Sequence, residues 1–209
     1  IEHFSDSYRC LPMVFRQGDS IENFAEQVLQ HAPEEFYLVG LSMGGYVSFE
    51  VMRRAPERVL RLALLDTSAE PENPERTVQR KIDLKTANEK GLQALAEQLP
   101  GRWMHPEMVK QPALFNEVLG MVLNVGIAAL GQQQKAIIER ADSFSGLKDI
   151  QCPTLVLCGR QDTSTPVSMH QDIVKHIPQA QLVIVEDCGH LSTMEQPAQV
   201  NQALEAWLA

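Results

Sequence analysis

No stretch of this 209-residue sequence approaches the ~20 consecutive apolar residues a membrane-spanning helix needs, and no charged start followed by an apolar run marks a signal peptide. A cytoplasmic, non-membrane protein is therefore the default expectation. Basic charge is scarce: 18 Lys and Arg stand against 27 Asp and Glu, for a formal net charge of −9. Nucleic-acid binders concentrate Lys and Arg on one face, and nothing basic is clustered here, so a nucleic-acid partner is not expected. The four cysteines, Cys10, Cys152, Cys158 and Cys188, form no CxxC pair and have no histidines at zinc-ligand spacing. They are expected to be reduced, and no metal site is expected. No internal repeat is visible. There is no initiator methionine, so further chain is expected ahead of Ile1.

What is present is the composition of an ordinary globular protein, 44% hydrophobic and 22% charged. A chain of this length fits one core with an inserted subdomain. Arg9 to Phe15 is a short apolar run closed by the turn-like Gln17-Gly18-Asp19-Ser20, and it reads as a buried strand. Ser20 can cap a helix in which Ile21, Phe24, Ala25, Val28 and Leu29 recur at helical spacing until Pro33. Phe36 to Leu41 is a second buried strand, followed by a helix ending near Arg54, and Val59 to Asp66 is a third. Strands and helices in alternation call for a mostly parallel sheet covered by helices on both faces, an α/β class.

From about Ala69 to Ser145 the β rhythm stops, and the chain becomes rich in Glu, Gln, Ala and Leu, with breaks at Pro100-Gly101, Pro106 and Pro112. A helical lid insert over 69–146 follows, with 1–68 and 147–209 forming the α/β core. The sheet resumes at Thr154 to Gly159 and again at Gln181 to Val185, with a helix between them near Val167 to Ile177 and a last helix ending at Trp207.

Gly40-Leu41-Ser42-Met43-Gly44 matches GxSxG with a buried strand before it and a helix of small residues after it. A serine on so sharp a turn needs small neighbours two before and two after, with Gly45 adding clearance, and its hydroxyl then projects outward. The N–H of Met43, at the helix start, points where an oxyanion would form. A serine hydroxyl is a weak nucleophile, so the motif calls for a histidine base and an acid, in the chain order Ser, Asp, His. Asp162 follows one strand and His190 the next, so Ser42, Asp162 and His190 all fall at the carboxyl ends of parallel strands. Each has a plainer reading: a packing turn, a capping aspartate and a surface histidine.

Asp66 also ends a strand at that edge and ranks second as the acid. His31, His170 and His176 on helices and His105 in the lid read as surface groups, with His3 unplaced. Cys188 reads as packing. Trp103, Met104, Met108, Leu114, Phe115 and Met121 could line an acyl pocket, though residues at helical spacing more often pack a lid onto its sheet.

On these residues, together with Leu64 to Ser68, Pro153 to Asp162 and Asp187 to His190, the chain resembles the α/β-hydrolase superfamily from Arg9 to Trp207. Within it, the chain is similar to compact bacterial serine esterases and lactonases. The resemblance implies an ester- or lactone-cleaving enzyme acting on a small-molecule substrate through an acyl-enzyme, with no cofactor. The same triad serves thioester hydrolysis, C–C hydrolysis and acyl transfer, and a non-catalytic ligand-binding member is a further alternative. It also implies strands before Arg9 and a glycine-containing loop that completes the oxyanion hole. No such loop precedes Cys10, so the second oxyanion donor is expected upstream of Ile1. Oligomeric state is left open.

Overall fold

The computed structural model describes residues 2–209. Among them, four strands form one parallel sheet in the order β1 (Phe36–Leu41), β2 (Val59–Leu65), β3 (Thr154–Gly159) and β4 (Ala180–Val185). The helices are α1 (Ile21–His31), α2 (Met43–Arg54), α3 (Pro74–Lys90), α4 (Leu92–Ala96), α5 (Pro100–Trp103) and α6 (Pro106–Val109). They continue as α7 (Pro112–Val125), α8 (Ile127–Ile138), α9 (Phe144–Leu147), α10 (Val167–His176), α11 (Ser192–Glu195) and α12 (Pro197–Leu208). No single helix among the described residues is long and apolar enough to cross a membrane.

Alternation along the strands sorts side chains to two faces. Leu62, Leu64 and Val156 pack on one face with Phe24 of α1, Val51 of α2 and Ile173 of α10. Ala63, Leu65, Leu155 and Leu157 pack on the other with Val200, Leu204 and Trp207 of α12. Every residue of β3 is buried, as expected of a strand covered on both sides. Truncating one of the fully buried leucines to alanine would cost about 2–5 kcal/mol. Register does the positioning: with all four strands parallel, every carboxyl end reaches the same edge of the sheet, where connecting loops can meet.

Local signals act as the sequence suggests at most boundaries. Ser20 caps α1, its side chain accepting from the N–H of Asn23 at 3.2 Å. Asn73 caps α3 in the same way through Arg76. Pro74, Pro100, Pro106, Pro112 and Pro197 each occupy a first helical turn, where the missing N–H costs nothing. Between β2 and β3 every regular element from Pro74 to Leu147 is a helix, with a core of its own around Leu95, Leu99, Val122 and Leu130. Its last helix, α9, already belongs to the sheet's core through Leu147 and Phe144. Buried Arg140 ties this layer to α2: its guanidinium meets Glu72 at 3.1 Å and lies 4.2 Å over the ring of Tyr46.

One expectation fails. Arg9 to Phe15 forms no strand. A strand exists through its ladder, and this segment pairs with none of the four; Pro12 has no N–H to donate. Leu11 and Val14 are exposed, and only Phe15 is buried, stacked on Phe24 with ring centroids 4.7 Å apart.

Candidate active site

Ser42 follows β1 directly and is the N-cap of α2, with φ 52° and ψ −113°. A non-glycine residue in the left-handed region is strained unless its surroundings hold it. Here the holders can be named. The N–H of Ser42 donates to the carbonyl of Leu65 at 2.9 Å, extending the ladder one residue beyond β1. Its carbonyl accepts from Thr67 Oγ1 at 2.8 Å and from the Gly45 N–H at 2.9 Å. Asp66, just beyond β2, and Asp187, two residues past β4, also have positive φ, 47° and 51°.

The crowding at the elbow falls on different glycines than the motif suggests. A Cβ at Gly40 would collide with the carbonyl oxygen of Gly44 and with Ser48 Oγ, and one at Gly45 would collide with Thr67. A Cβ at Gly44 would meet nothing within 4 Å. Clearance is thus needed at Gly40 and Gly45, not at the last motif glycine.

Ser42 Oγ lies 2.8 Å from His190 Nε2, and His190 Nδ1 lies 2.8 Å from Asp162 Oδ2. A carboxylate only accepts, so Nδ1 carries the ring proton and Nε2 is left to accept from the serine hydroxyl. His190 is 6% exposed and Asp162 is buried. The Asp162 side chain is saturated: Oδ1 accepts from the N–H groups of Ser164 and Thr165 at 2.7 and 2.9 Å, and Oδ2 also accepts from Thr165 Oγ1 at 2.6 Å. Burial alone would raise its pKa. The hydrogen bond and charge of His190 and the bonds from Thr165 outweigh burial and hold it below the ordinary carboxylate range.

Asp66 ends β2 at the same edge but does not reach the histidine ring. Its Oδ1 accepts from the Gly159 N–H and its Oδ2 from the Ser192 N–H, each at 3.1 Å, so it joins the ends of β2 and β3 to the segment after His190. Burial pushes its pKa up to about 7, against the opposing charge of His190 and the bond from Ser192. Cys158 and Cys188 are buried beside it and unpaired. Burial raises both thiols, Cys158 to about 12, and keeps them protonated.

His170 corrects the surface reading. It is 0% exposed, and its Nε2 accepts from the N–H of Thr67 at 2.9 Å. Burial lowers its pKa to about 4, so it stays neutral. Helical periodicity gave no hint, because α10 packs this position onto the loop that supports the elbow. The exposed His31 and His176 cap backbone carbonyls of their own helices.

Of the hydrophobic candidates, Trp103, Met104, Met108 and Leu114 gather with Leu41, Leu191 and Val118, beside the serine and the histidine. Phe115 is half-buried on α7 outside this group, and Met121 is 41% exposed. Met43 begins α2, where helix N–H groups lack intrahelical acceptors. Thr67, Thr165 and Glu195 escaped the sequence reading. The one available signal was Glu195, an isolated carboxyl in the otherwise uncharged stretch Leu191 to Val200. Among the described residues no three His, Cys, Asp or Glu side chains are grouped to hold a metal. What the arrangement can do is move a proton from a hydroxyl to an imidazole that is oriented and charge-balanced by a buried carboxylate.

Known proteins carry the same architecture. The chain aligns with 3-oxoadipate enol-lactonase 2 of Acinetobacter baylyi at 29% identity over 167 residues, covering 80% of this chain and 61% of that protein. It is 22% identical to the pimeloyl-[acyl-carrier protein] methyl ester esterase of Aromatoleum aromaticum, covering 87% of this chain and 77% of that protein. The solved structure of a thermophilic esterase from Thermogutta terrifontis superposes with a TM-score of 0.87 at 29% identity, covering 99% of this chain and 82% of that one. The family profile of the alpha/beta hydrolase fold matches residues 10–197, and the chain belongs to that family.

Proposed function

We propose that the protein hydrolyses a carboxylic ester or lactone of a small molecule through an acyl-enzyme on Ser42. The observation that carries this reading is the continuous Ser42–His190–Asp162 chain, with both links at 2.8 Å. His190 Nε2 takes the hydroxyl proton as Ser42 Oγ attacks the carbonyl carbon, and the tetrahedral oxyanion is met by the Met43 N–H at the start of α2. The protonated histidine returns the proton to the leaving alkoxide, so the ester C–O bond breaks and the acyl group remains on Ser42. A water molecule, deprotonated by the same Nε2, then attacks the acyl carbonyl; the acid is released and Ser42 is restored. Asp162 fixes the histidine tautomer and balances the imidazolium.

The names of the lactonase and esterase relatives support the bond class. The apolar group of Trp103, Met104, Met108 and Leu114 beside Ser42 supports an acyl part with little charge. A second N–H donor would complete the oxyanion hole.

A fluorophosphonate probe tests the reading, with the labelled peptide located by mass spectrometry. The expected result is labelling at Ser42 that disappears in Ser42→Ala and His190→Ala. Full esterase activity in Ser42→Ala would overturn the assignment, and labelling without turnover of esters and lactones would favour a ligand-binding member of the fold.

A further inference from the structure

The three backbone N–H groups around the base are all engaged. Glu195, 5% exposed in α11, places Oε2 at 3.0 Å from the Gly189 N–H and Oε1 at 2.9 Å from the Leu191 N–H. The N–H between them, that of His190, donates to the carbonyl of Trp103 at 2.6 Å. Glu195 Oε2 also accepts from the N–H of His105 at 2.6 Å. One carboxyl group thus receives three N–H donors, two from the histidine segment and one from the helical layer between β2 and β3.

This contact is close as well as bonded. A Cβ at Gly189 would meet the Trp103 carbonyl oxygen at 2.5 Å and the His105 nitrogen at 2.6 Å, both backbone atoms that cannot swing away. On the inner side, Ser192 N–H donates to Asp66, so the turn after His190 is pinned towards the sheet as well. The base therefore sits between two supports, and the outer one is the stretch Trp103 to His105.

We propose that Glu195 is a positioning residue for His190, and that Trp103–His105 is a fixed wall of the site. Any opening of the helical layer then takes place around this stretch, which stays docked on the histidine segment. The proposal rests on the reading of His190 as the base. Its physical basis is that Nε2 works only while held at hydrogen-bond distance from Ser42 Oγ; a displacement of about 1 Å at a reacting group can cost on the order of 10²-fold in rate.

Glu195→Gln keeps the shape and replaces one accepting oxygen by an NH₂ that faces a backbone N–H. The expected result is fluorophosphonate labelling at Ser42 slowed by roughly 10- to 100-fold, with kcat falling far more than KM changes. The downfield proton resonance of the His190–Asp162 bond should broaden in the same variant. In the unaltered protein, amide hydrogen exchange should show His105, Gly189, His190 and Leu191 protected together. Labelling of Glu195→Gln within twofold of the parent would overturn the positioning role. Exchange of His105 at the rate of an exposed loop, with Leu191 still protected, would overturn the fixed wall. The exchange measurement needs no variant, so it judges the wall even if Glu195→Gln does not fold. Failure of the parent protein to label at all would count against the base itself and leave the exchange result to judge the wall.

Discussion

Thr67 is held by His170 and holds Ser42: its N–H donates to the histidine's Nε2 at 2.9 Å, and its Oγ1 donates to the serine carbonyl at 2.8 Å. A neutral imidazole can accept this bond and an imidazolium cannot. The elbow therefore depends on a buried histidine that never contacts the reacting atoms.

Because burial depresses the His170 pKa to about 4 from its ordinary 6.5, the folded state binds fewer protons than the unfolded state between these values. The stability it contributes is present above pH 6.5 and is lost as pH falls towards 4. His170→Gln, which preserves an acceptor, should flatten this loss. Thermal unfolding of both proteins from pH 7 to pH 4 checks it: the melting difference in favour of the parent should shrink as pH falls.

Asp66 works with the opposite sign. Its pKa is raised to about 7 from an ordinary 3.8, so the folded state binds more protons in that window, and stability is lost as pH rises through it. Asp66→Asn removes that slope. Relative to the parent, the variant should fare progressively better between pH 4 and pH 7 in thermal unfolding, and a pH-independent difference would contradict the assignment.

The two elbow glycines should part company. Gly40→Ala forces a methyl into Gly44 and Ser48 and should destabilise by about 1–3 kcal/mol. Gly44→Ala has open space and no left-handed φ, so removing unfolded-state freedom should stabilise by about 0.4–1 kcal/mol. Urea unfolding midpoints measure both.

Asp162→Asn retains the size of the side chain but lets the amide donate towards His190 Nδ1, favouring the wrong tautomer. A fall in kcat of roughly 10⁴-fold is expected, with little change in KM. Steady-state kinetics on any ester that the parent turns over would reveal a smaller effect if Asp66 were the true acid.

The sequence reading reached most of this architecture because its signals are local. Ser20 and Pro33 bracket α1, and the runs at Phe36, Val59, Thr154 and Gln181 become the four strands. Ser42, Asp162 and His190 could be picked out as candidates because each lies within five residues of the end of such a run. The segment at Arg9 misled because an apolar run says nothing about whether a ladder partner lies alongside. His170, Thr67 and Glu195 stayed hidden for another reason. Their roles are set by what packs on them, and a histidine on a helix looks the same in sequence whether its face meets solvent or the underside of an elbow.

The parallel order of the sheet also fixes when the site can exist. The Ser42–His190 bond joins positions 148 residues apart, and the helical layer intervenes between the strands that carry them. Contacts so distant along the chain are expected to form late in folding, after local helices and the adjacent β1–β2 pair. During refolding, helical circular dichroism should recover before fluorophosphonate reactivity at Ser42, which is expected to emerge only with the completed sheet.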